Sequence, residues 1–208
     1  MITLTKEIRD LMTPEMALQI LKDGNKRFVN NLEINHDLLE QVNLTSEDQN
    51  PFAIVLSCID SRTSAELIFN QGLGEIFSCR IAGNVLNDDI VGSMEFACKI
   101  AGVKLIMVLG HTGCGAIKGA CDDVEVGKLT QLLNKIKPAV AMEVSTHSNR
   151  NSHNMHFVDS VASINVGLVR SQIVKESQII AEMLEKGAIA IVGGMYDVAT
   201  GRVDFYEK

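Results

Sequence analysis

Residues 104–120 read KLIMVLGHTGCGAIKGA, and the interpretation of the whole chain depends on this stretch. The apolar run at its start predicts a buried strand. The glycine-rich segment after it is compatible with two kinds of site. Its glycines and Lys118 suggest a loop that cradles phosphate, whereas His111 and Cys114 have a spacing that suits two metal ligands.

Strands and helices alternate along the rest of the chain. Apolar stretches predict further strands at PFAIVLSC (51–58), EIFSCR (75–80) and AIAIVGGMYDV (188–198), with a short final strand after a turn at 199–201. Helices are predicted for residues 13–29, 88–101 and 158–186, and a short helix near 64–74. Thr13 and Pro14 suit the N-cap and the first helical position of the helix at 13–29. This alternation predicts an α/β fold with a largely parallel sheet.

The composition is that of an ordinary globular protein. With 208 residues, 46% of them hydrophobic and 22% charged, the chain is expected to form one domain over 1–208. A net charge of −7 argues against nucleic acid or an anionic membrane as partner. No apolar run approaches the roughly 20 residues that span a bilayer, and the first residues lack signal-peptide features, so we expect a cytoplasmic protein. Five widely spread cysteines favour reduced thiols or metal ligands over disulfides.

The phosphate interpretation fails on spacing. A Walker-type loop places lysine directly after its last glycine and then serine or threonine. Here Ala116 and Ile117 separate Gly115 from Lys118, and no hydroxyl residue is placed to hold magnesium. The dinucleotide-binding pattern G-x-G-x-x-G also fails, since position 118 would have to be glycine. Nucleotide binding is therefore the disfavoured alternative.

The metal interpretation gains a third ligand from another strand. Cys58 ends the first predicted strand, and ligands gather at the carboxyl ends of parallel strands. If the two strands are neighbours, Cys58, His111 and Cys114 converge. Two thiolates and one imidazole favour zinc, and a set of three protein ligands leaves its fourth position open, as in catalytic sites.

Asp60 and Arg62 follow Cys58 in the pattern C-x-D-x-R. A carboxylate here could accept a hydrogen bond from a metal-bound water or reach the metal, and Arg62 could clamp it and keep it ionised. The residue types alone leave a second interpretation equally open, in which the pair lies at the surface and caps the helix that begins near Thr63.

These residues carry a family resemblance. The segments SCIDSRTSAELIF, RIAGNV and GHTGCGAIKGA, in this order and spacing, resemble the β-class carbonic anhydrases. The similarity extends to ALQILKDGNKRFV near the N-terminus, to the NV pair at 165–166 and to GGMYDVATGRVDFY at the end, so it covers nearly the whole chain.

The resemblance implies one zinc ion bound by Cys58, His111 and Cys114, with Asp60 and Arg62 as a dyad beside it. It implies zinc-bound hydroxide attacking carbon dioxide to give bicarbonate and a proton. It also implies four parallel strands plus an edge strand, and a homodimer, or a dimer of dimers, in which an N-terminal helix lies across the partner. The helix at 13–29 has no obvious place in the sheet's own core. We therefore expect a helical arm over about 1–50 and an α/β core over 51–208.

One departure from the family pattern refines the expectation. A branch of the family closes its zinc with the aspartate and uses a tryptophan, three residues before the first cysteine, in a regulatory bicarbonate site. Val55 stands there, although Tyr196 matches that site's tyrosine. We expect the open branch, with water as fourth ligand. The backbone N–H groups around Gly115 are candidates to orient the substrate.

Other interpretations remain. The same scaffold could hydrolyse carbonyl sulfide or carbon disulfide, or serve as a non-catalytic module that binds zinc or bicarbonate.

His147, His153 and His156 could bind a metal but are expected in a solvated loop. Cys98 is expected in the core and Cys121 at the surface.

Overall fold

The computed structural model describes residues 4–34 and 36–206. It contains one five-stranded sheet of β1 (Ala53–Ser57), β2 (Ile76–Arg80), β3 (Leu105–His111), β4 (Ala190–Tyr196) and β5 (Val203–Tyr206), in the order β2-β1-β3-β4-β5. The first four strands are parallel, and β5 pairs antiparallel with β4. The predicted α/β class and the four parallel strands with one edge strand are confirmed. The ends of the predicted single domain, residues 1–3 and 207–208, lie outside the described residues.

Helices cover both faces of this sheet. They are α1 (Lys6–Leu11), α2 (Pro14–Val29), α3 (Leu38–Leu44), α4 (Ala65–Ile68), α5 (Asp88–Glu95), α6 (Gly115–Cys121), α7 (Gly127–Asn134), α8 (Lys137–Met142), α9 (Met155–Glu176) and α10 (Gln178–Glu185). A 3-10 turn at Ala82–Asn84 follows β2, and a π-helical turn at Phe96–Ile100 extends α5. No helix in the described part of the chain is both long and apolar enough to cross a bilayer.

The central strands are buried on both faces. Ile54 and Leu56 of β1 contribute to the larger of two apolar clusters, together with α5, α6 and α9. Ala53 and Val55 point the other way, into a second cluster that includes α2 and α4. Because successive side chains of a strand alternate between faces, a continuous apolar run fills two cores at once.

The predicted helix at 13–29 is present as α2, with Thr13 accepting a hydrogen bond from the backbone N–H of Met16. The expectation that it has no place in the sheet's own core was wrong. Ala17 and Leu21 are fully buried in the second cluster. Asn25 donates to the carbonyl of Gly201 at 2.9 Å and accepts from the N–H of Val203 at 2.9 Å. The N-terminal helices are present, and these contacts show that α2 packs over the sheet of its own chain.

The long helix expected over 158–186 is two helices, α9 and α10, separated at Ser177. The Ser177 hydroxyl accepts from the N–H of Ile180 at 3.1 Å, as an N-cap does, and donates to Glu95 at 2.6 Å. Apolar periodicity continues across such a break, so the periodicity alone could not locate it.

Candidate metal centre and its supporting shell

The strand order brings Cys58, His111 and Cys114 together. β1 and β3 are neighbours in the sheet, so Cys58, directly after β1, lies beside His111 at the end of β3. Cys114 follows after a short turn, at the N-cap of α6. All three side chains are buried, and their ligand atoms lie within 4.8 Å of one another. Across residues 4–34 and 36–206 this is the one such group of His, Cys, Asp or Glu side chains.

The orientation of the His111 imidazole leaves one of its two ring nitrogens available to bind a metal ion. Its Nδ1 lies 3.0 Å from the backbone carbonyl of Thr112. Since a carbonyl can only accept, Nδ1 carries the proton, and Nε2 presents a lone pair. Nε2 is buried without a hydrogen-bond partner among the described residues. A buried imidazole nitrogen is seldom left in this way unless it binds something, so Nε2 is a suitable metal donor.

The two thiols influence each other strongly. Their sulfurs are 3.9 Å apart. The hydrogen bond from Cys114 lowers the pKa of Cys58, against the effect of burial, and the N–H groups of Asp60 and Gly83 lower it further. The same contact with Cys58, together with burial, raises the pKa of Cys114. One thiolate therefore forms readily, and the second requires a positive charge nearby, as a bound cation provides.

These residues fit a zinc ion. Two sulfurs bound tetrahedrally at about 2.3 Å from zinc lie about 3.8 Å apart, close to the separation found here. Two thiolates and one neutral imidazole are soft donors that suit zinc rather than magnesium or calcium. The orphaned Nε2 of His111 completes the set.

Asp60 is held by Arg62 and is not part of the three-residue group. Arg62 donates from Nε to Oδ1 at 2.9 Å and from Nη2 to Oδ2 at 2.8 Å, and its backbone N–H also reaches Oδ1 at 3.0 Å. The bidentate hydrogen bond from the guanidinium lowers the pKa of the Asp60 carboxyl well below its usual range. The helix that follows has Ser64 at its N-cap, and the Ser64 side chain makes no capping hydrogen bond.

Two residues that the sequence did not single out brace this turn. Arg80, the last residue of β2, donates to the carbonyl of Cys58 at 3.0 Å and to that of Asp60 at 2.6 Å. The Thr63 hydroxyl reaches the same two carbonyls at 2.9 and 3.0 Å. In the sequence Arg80 stands out only as the end of a predicted strand and as the first residue of the segment RIAGNV. Thr63 is named in the sequence only as the position near which the next helix is expected to begin.

Helix α9 supports the other side of the centre. Asp159 accepts from the N–H of Gly113 at 2.8 Å, within the turn between His111 and Cys114. Asn165 donates to the carbonyl of Gly83 at 3.0 Å. The sequence could not assign these roles because neither residue is near the ligands along the chain.

The remaining sequence candidates lie elsewhere. His147, His153 and His156 are exposed and outside the metal group, as expected for a solvated segment, although His156 lies in the first turn of α9. Cys98 is buried in the core as predicted, but the expectation of an exposed Cys121 was wrong, because it is only 7% exposed. Gly115 is exposed at the start of α6, next to Cys114.

The known proteins that this chain resembles belong to one family, the carbonic anhydrases. A family model described as carbonic anhydrase matches residues 53–203. The carbonic anhydrase of Mycolicibacterium smegmatis is 37% identical over 198 residues, which cover 92% of each chain. Carbonic anhydrase 2 of Mycobacterium tuberculosis is 33% identical over 196 residues, which cover 91% of each chain.

A solved structure shows the same fold. It belongs to a study of two tetrameric β-carbonic anhydrases from the ascomycete Sordaria macrospora and aligns with a TM-score of 0.71. The alignment covers 81% of this chain and 90% of that one, at 20% identity. Since the family model spans most of the chain, and relatives above 30% identity span nearly all of it, the chain belongs to the β-class carbonic anhydrases.

Proposed function

We propose that this protein is a zinc enzyme that catalyses the reversible hydration of carbon dioxide to bicarbonate and a proton. The observation that carries the proposal is the buried group of Cys58, His111 and Cys114, whose unpartnered Nε2 and closely spaced sulfurs suit one zinc ion. Membership of the carbonic anhydrase family supports the same reaction.

Each residue of the site has a proposed part. Cys58, His111 and Cys114 would hold a zinc ion, which would act as a Lewis acid and make a water molecule nucleophilic. Asp60, ionised because Arg62 lowers its pKa, accepts a hydrogen bond from the nucleophilic water and orients it. Arg62 keeps the carboxylate paired and apart from the metal donors.

The surroundings of these residues set the geometry. Arg80 and Thr63 fix the turn that carries Cys58 and Asp60. The N–H of Gly115, next to Cys114, is the group we propose to orient the bicarbonate oxygen.

Assembly and location complete the proposal. We infer a homodimer or a dimer of dimers, supported by the tetrameric relatives from Sordaria macrospora. Large exposed apolar side chains offer surface for such contacts, among them Leu11 at 82% and Leu39 at 73% exposure. Free, largely buried thiols are compatible with a cytoplasmic location. Sedimentation of the purified protein tests the assembly, and a monomer at micromolar concentration would contradict it.

One purified sample tests the reaction. We expect about one zinc ion per chain by elemental analysis and rapid carbon dioxide hydration by stopped-flow indicator assay. Carbonyl sulfide hydrolysis measured on the same sample should be much slower. The variant His111→Ala should lose both zinc and activity. A zinc-loaded protein without hydration activity would instead favour the non-catalytic module, and faster turnover of carbonyl sulfide would favour the hydrolase.

A further inference from the structure

The 3-10 turn at Ala82–Asn84 lies directly beside one of the candidate zinc ligands. The backbone N–H of Gly83 donates to the sulfur of Cys58 at 3.4 Å. Gly83 has φ +65°, in the left-handed region that favours glycine. A Cβ at this position would approach Cδ1 of Ile136 to 2.7 Å, so the Ile136 side chain would have to shift for a larger residue.

A glycine has no side chain that could hold its backbone in place. The orientation of the Gly83 N–H therefore depends on what its own peptide groups contact. The carbonyl of Gly83 accepts a hydrogen bond from the side-chain amide of Asn165 at 3.0 Å. This bond reaches from the middle of α9 to the turn, across 82 positions of sequence.

Asn165 is an unusual residue for its position. It is 2% exposed, on the face of α9 that otherwise supplies apolar side chains such as Val161 and Val169 to the core. Burying an amide in apolar surroundings is unfavourable unless the amide is hydrogen-bonded. An apolar residue would serve packing alone, so the amide at this position indicates a specific function of its hydrogen bond.

We propose that Asn165 is a positioning residue for the metal centre: it fixes Gly83 so that the Gly83 N–H points at the sulfur of Cys58. The inference rests on the proposed zinc site and extends it beyond the three ligands. An N–H group directed at a thiolate orients the sulfur lone pairs and withdraws part of its negative charge. Groups of this kind around metal ligands commonly change metal affinity or activity by about 10- to 100-fold when removed.

The test compares two substitutions at Asn165 with a control on the same helix. Asn165→Leu keeps a similar volume without a donor, and Asn165→Ala removes the side chain. Ser163→Ala removes a 2.7 Å hydrogen bond to Tyr206, also from α9 but away from the turn. The zinc-loaded proteins are mixed with a chromogenic chelator, and circular dichroism verifies that each variant is folded.

We expect both Asn165 variants to lose zinc at least about tenfold faster than the wild type, and Ser163→Ala to match the wild type. In the cobalt-substituted proteins the thiolate-to-cobalt charge-transfer band should shift in the Asn165 variants only. Folded Asn165 variants with wild-type zinc release and an unchanged band would overturn the proposal.

A second measurement needs no variant. In the wild-type protein loaded with cadmium-113, a hydrogen bond to a metal-bound sulfur transmits scalar coupling between the metal and the amide proton. We expect this coupling at the Gly83 amide, and its absence would also overturn the proposal. A wild-type protein that binds no zinc would instead refute the proposed function itself. Normal zinc binding and hydration with unaffected Asn165 variants would refute only the role of Asn165.

Discussion

Arg62 is the residue whose removal separates catalysis from metal binding. It donates two side-chain hydrogen bonds to Asp60 and is not one of the three candidate ligands. We expect Arg62→Ala to retain its zinc and to lose hydration activity by about 10- to 100-fold, because Asp60 is no longer oriented. Stopped-flow rates and elemental analysis of the same samples measure the two effects.

The matched control for Arg62→Ala is Arg202→Ala, which removes an exposed arginine that lies outside the site. It should leave both rate and zinc content unchanged. Equal activity of the two variants would show that the Asp60–Arg62 pair is a surface feature, the interpretation that the sequence left open.

The pH dependence follows from the charges at the site. Two thiolates formally cancel the charge of zinc, whereas three neutral histidines leave +2 and bring the bound water to a pKa of about 7. The nucleophilic water here should be less acidic, so activity should rise between pH 6 and 9. Asp60 does not contribute to this rise. Its pKa is lowered in the folded protein, and a carboxyl with an unfolded pKa of about 3.9 is ionised throughout that range.

Measured rates from pH 6 to 9 in the wild type and in Arg62→Ala test this assignment. The variant's Asp60 returns toward its ordinary pKa and is still ionised above pH 6. We therefore expect a lower profile with the same midpoint. A flat wild-type profile would contradict the argument from ligand charge, and a midpoint that moves in the variant would implicate Asp60.

The three members of the metal group are predictable from the sequence, but only some of the residues that support them are. Cys58, His111 and Cys114 were predictable because two short motifs follow apolar strands, and neighbouring strands bring their ends together. Arg80 and Asn165 could not be assigned in this way. Their contacts are with backbone carbonyls, which carry no residue-specific pattern in the sequence.

At the level of elements, amphipathicity predicts which face of a helix is buried but not which surface covers it. The apolar face of α2 was correctly recognised, and its packing onto the sheet of its own chain was not. The break between α9 and α10 was not predicted from the sequence, for a related reason. At the break, the Ser177 hydroxyl donates to Glu95, a tertiary contact that local periodicity does not encode.

The close packing of α2 leads to a stability prediction. A Cβ added at Gly24 would lie 1.8 Å from the carbonyl oxygen of Phe69, so the helix would have to move away from α4. We expect Gly24→Ala to destabilise the protein by about 3 kcal/mol or more, since backbone cannot yield as a side-chain end does. For a chain of this size the melting temperature should fall by roughly 6–12 °C.

The control is the same substitution in α5. A Cβ at Gly92 meets nothing within 4 Å, so Gly92→Ala should be neutral or stabilise the helix by up to about 1 kcal/mol. Similar melting temperatures for Gly24→Ala and the wild type would show that α2 does not pack on α4 in solution.

On the scale of the whole molecule, the metal centre joins parts of the chain that are otherwise connected only through the core. Cys58 follows β1, His111 ends β3, Cys114 begins α6, and α9 contacts the turns beside them. A metal ion bound to the folded protein and not to the unfolded chain stabilises it by mass action. The stability of the fold is therefore expected to depend on the ion.

Removal of the metal tests this dependence. With free zinc at about 1,000 times the dissociation constant, binding contributes about 4 kcal/mol, which corresponds to roughly 8–16 °C in melting temperature. We expect a strong chelator to lower the melting temperature by such an amount, and added zinc, but not magnesium, to restore it, because the donors are two thiolates and an imidazole.

Cys58→Ser should melt near the chelated wild type and respond little to zinc. Cys98→Ser changes a buried thiol that is not a member of the metal group. This variant should keep the full zinc response, even if the variant itself is less stable than the wild type. A zinc response that persists in Cys58→Ser would place the stabilising ion elsewhere and contradict the assignment of this site.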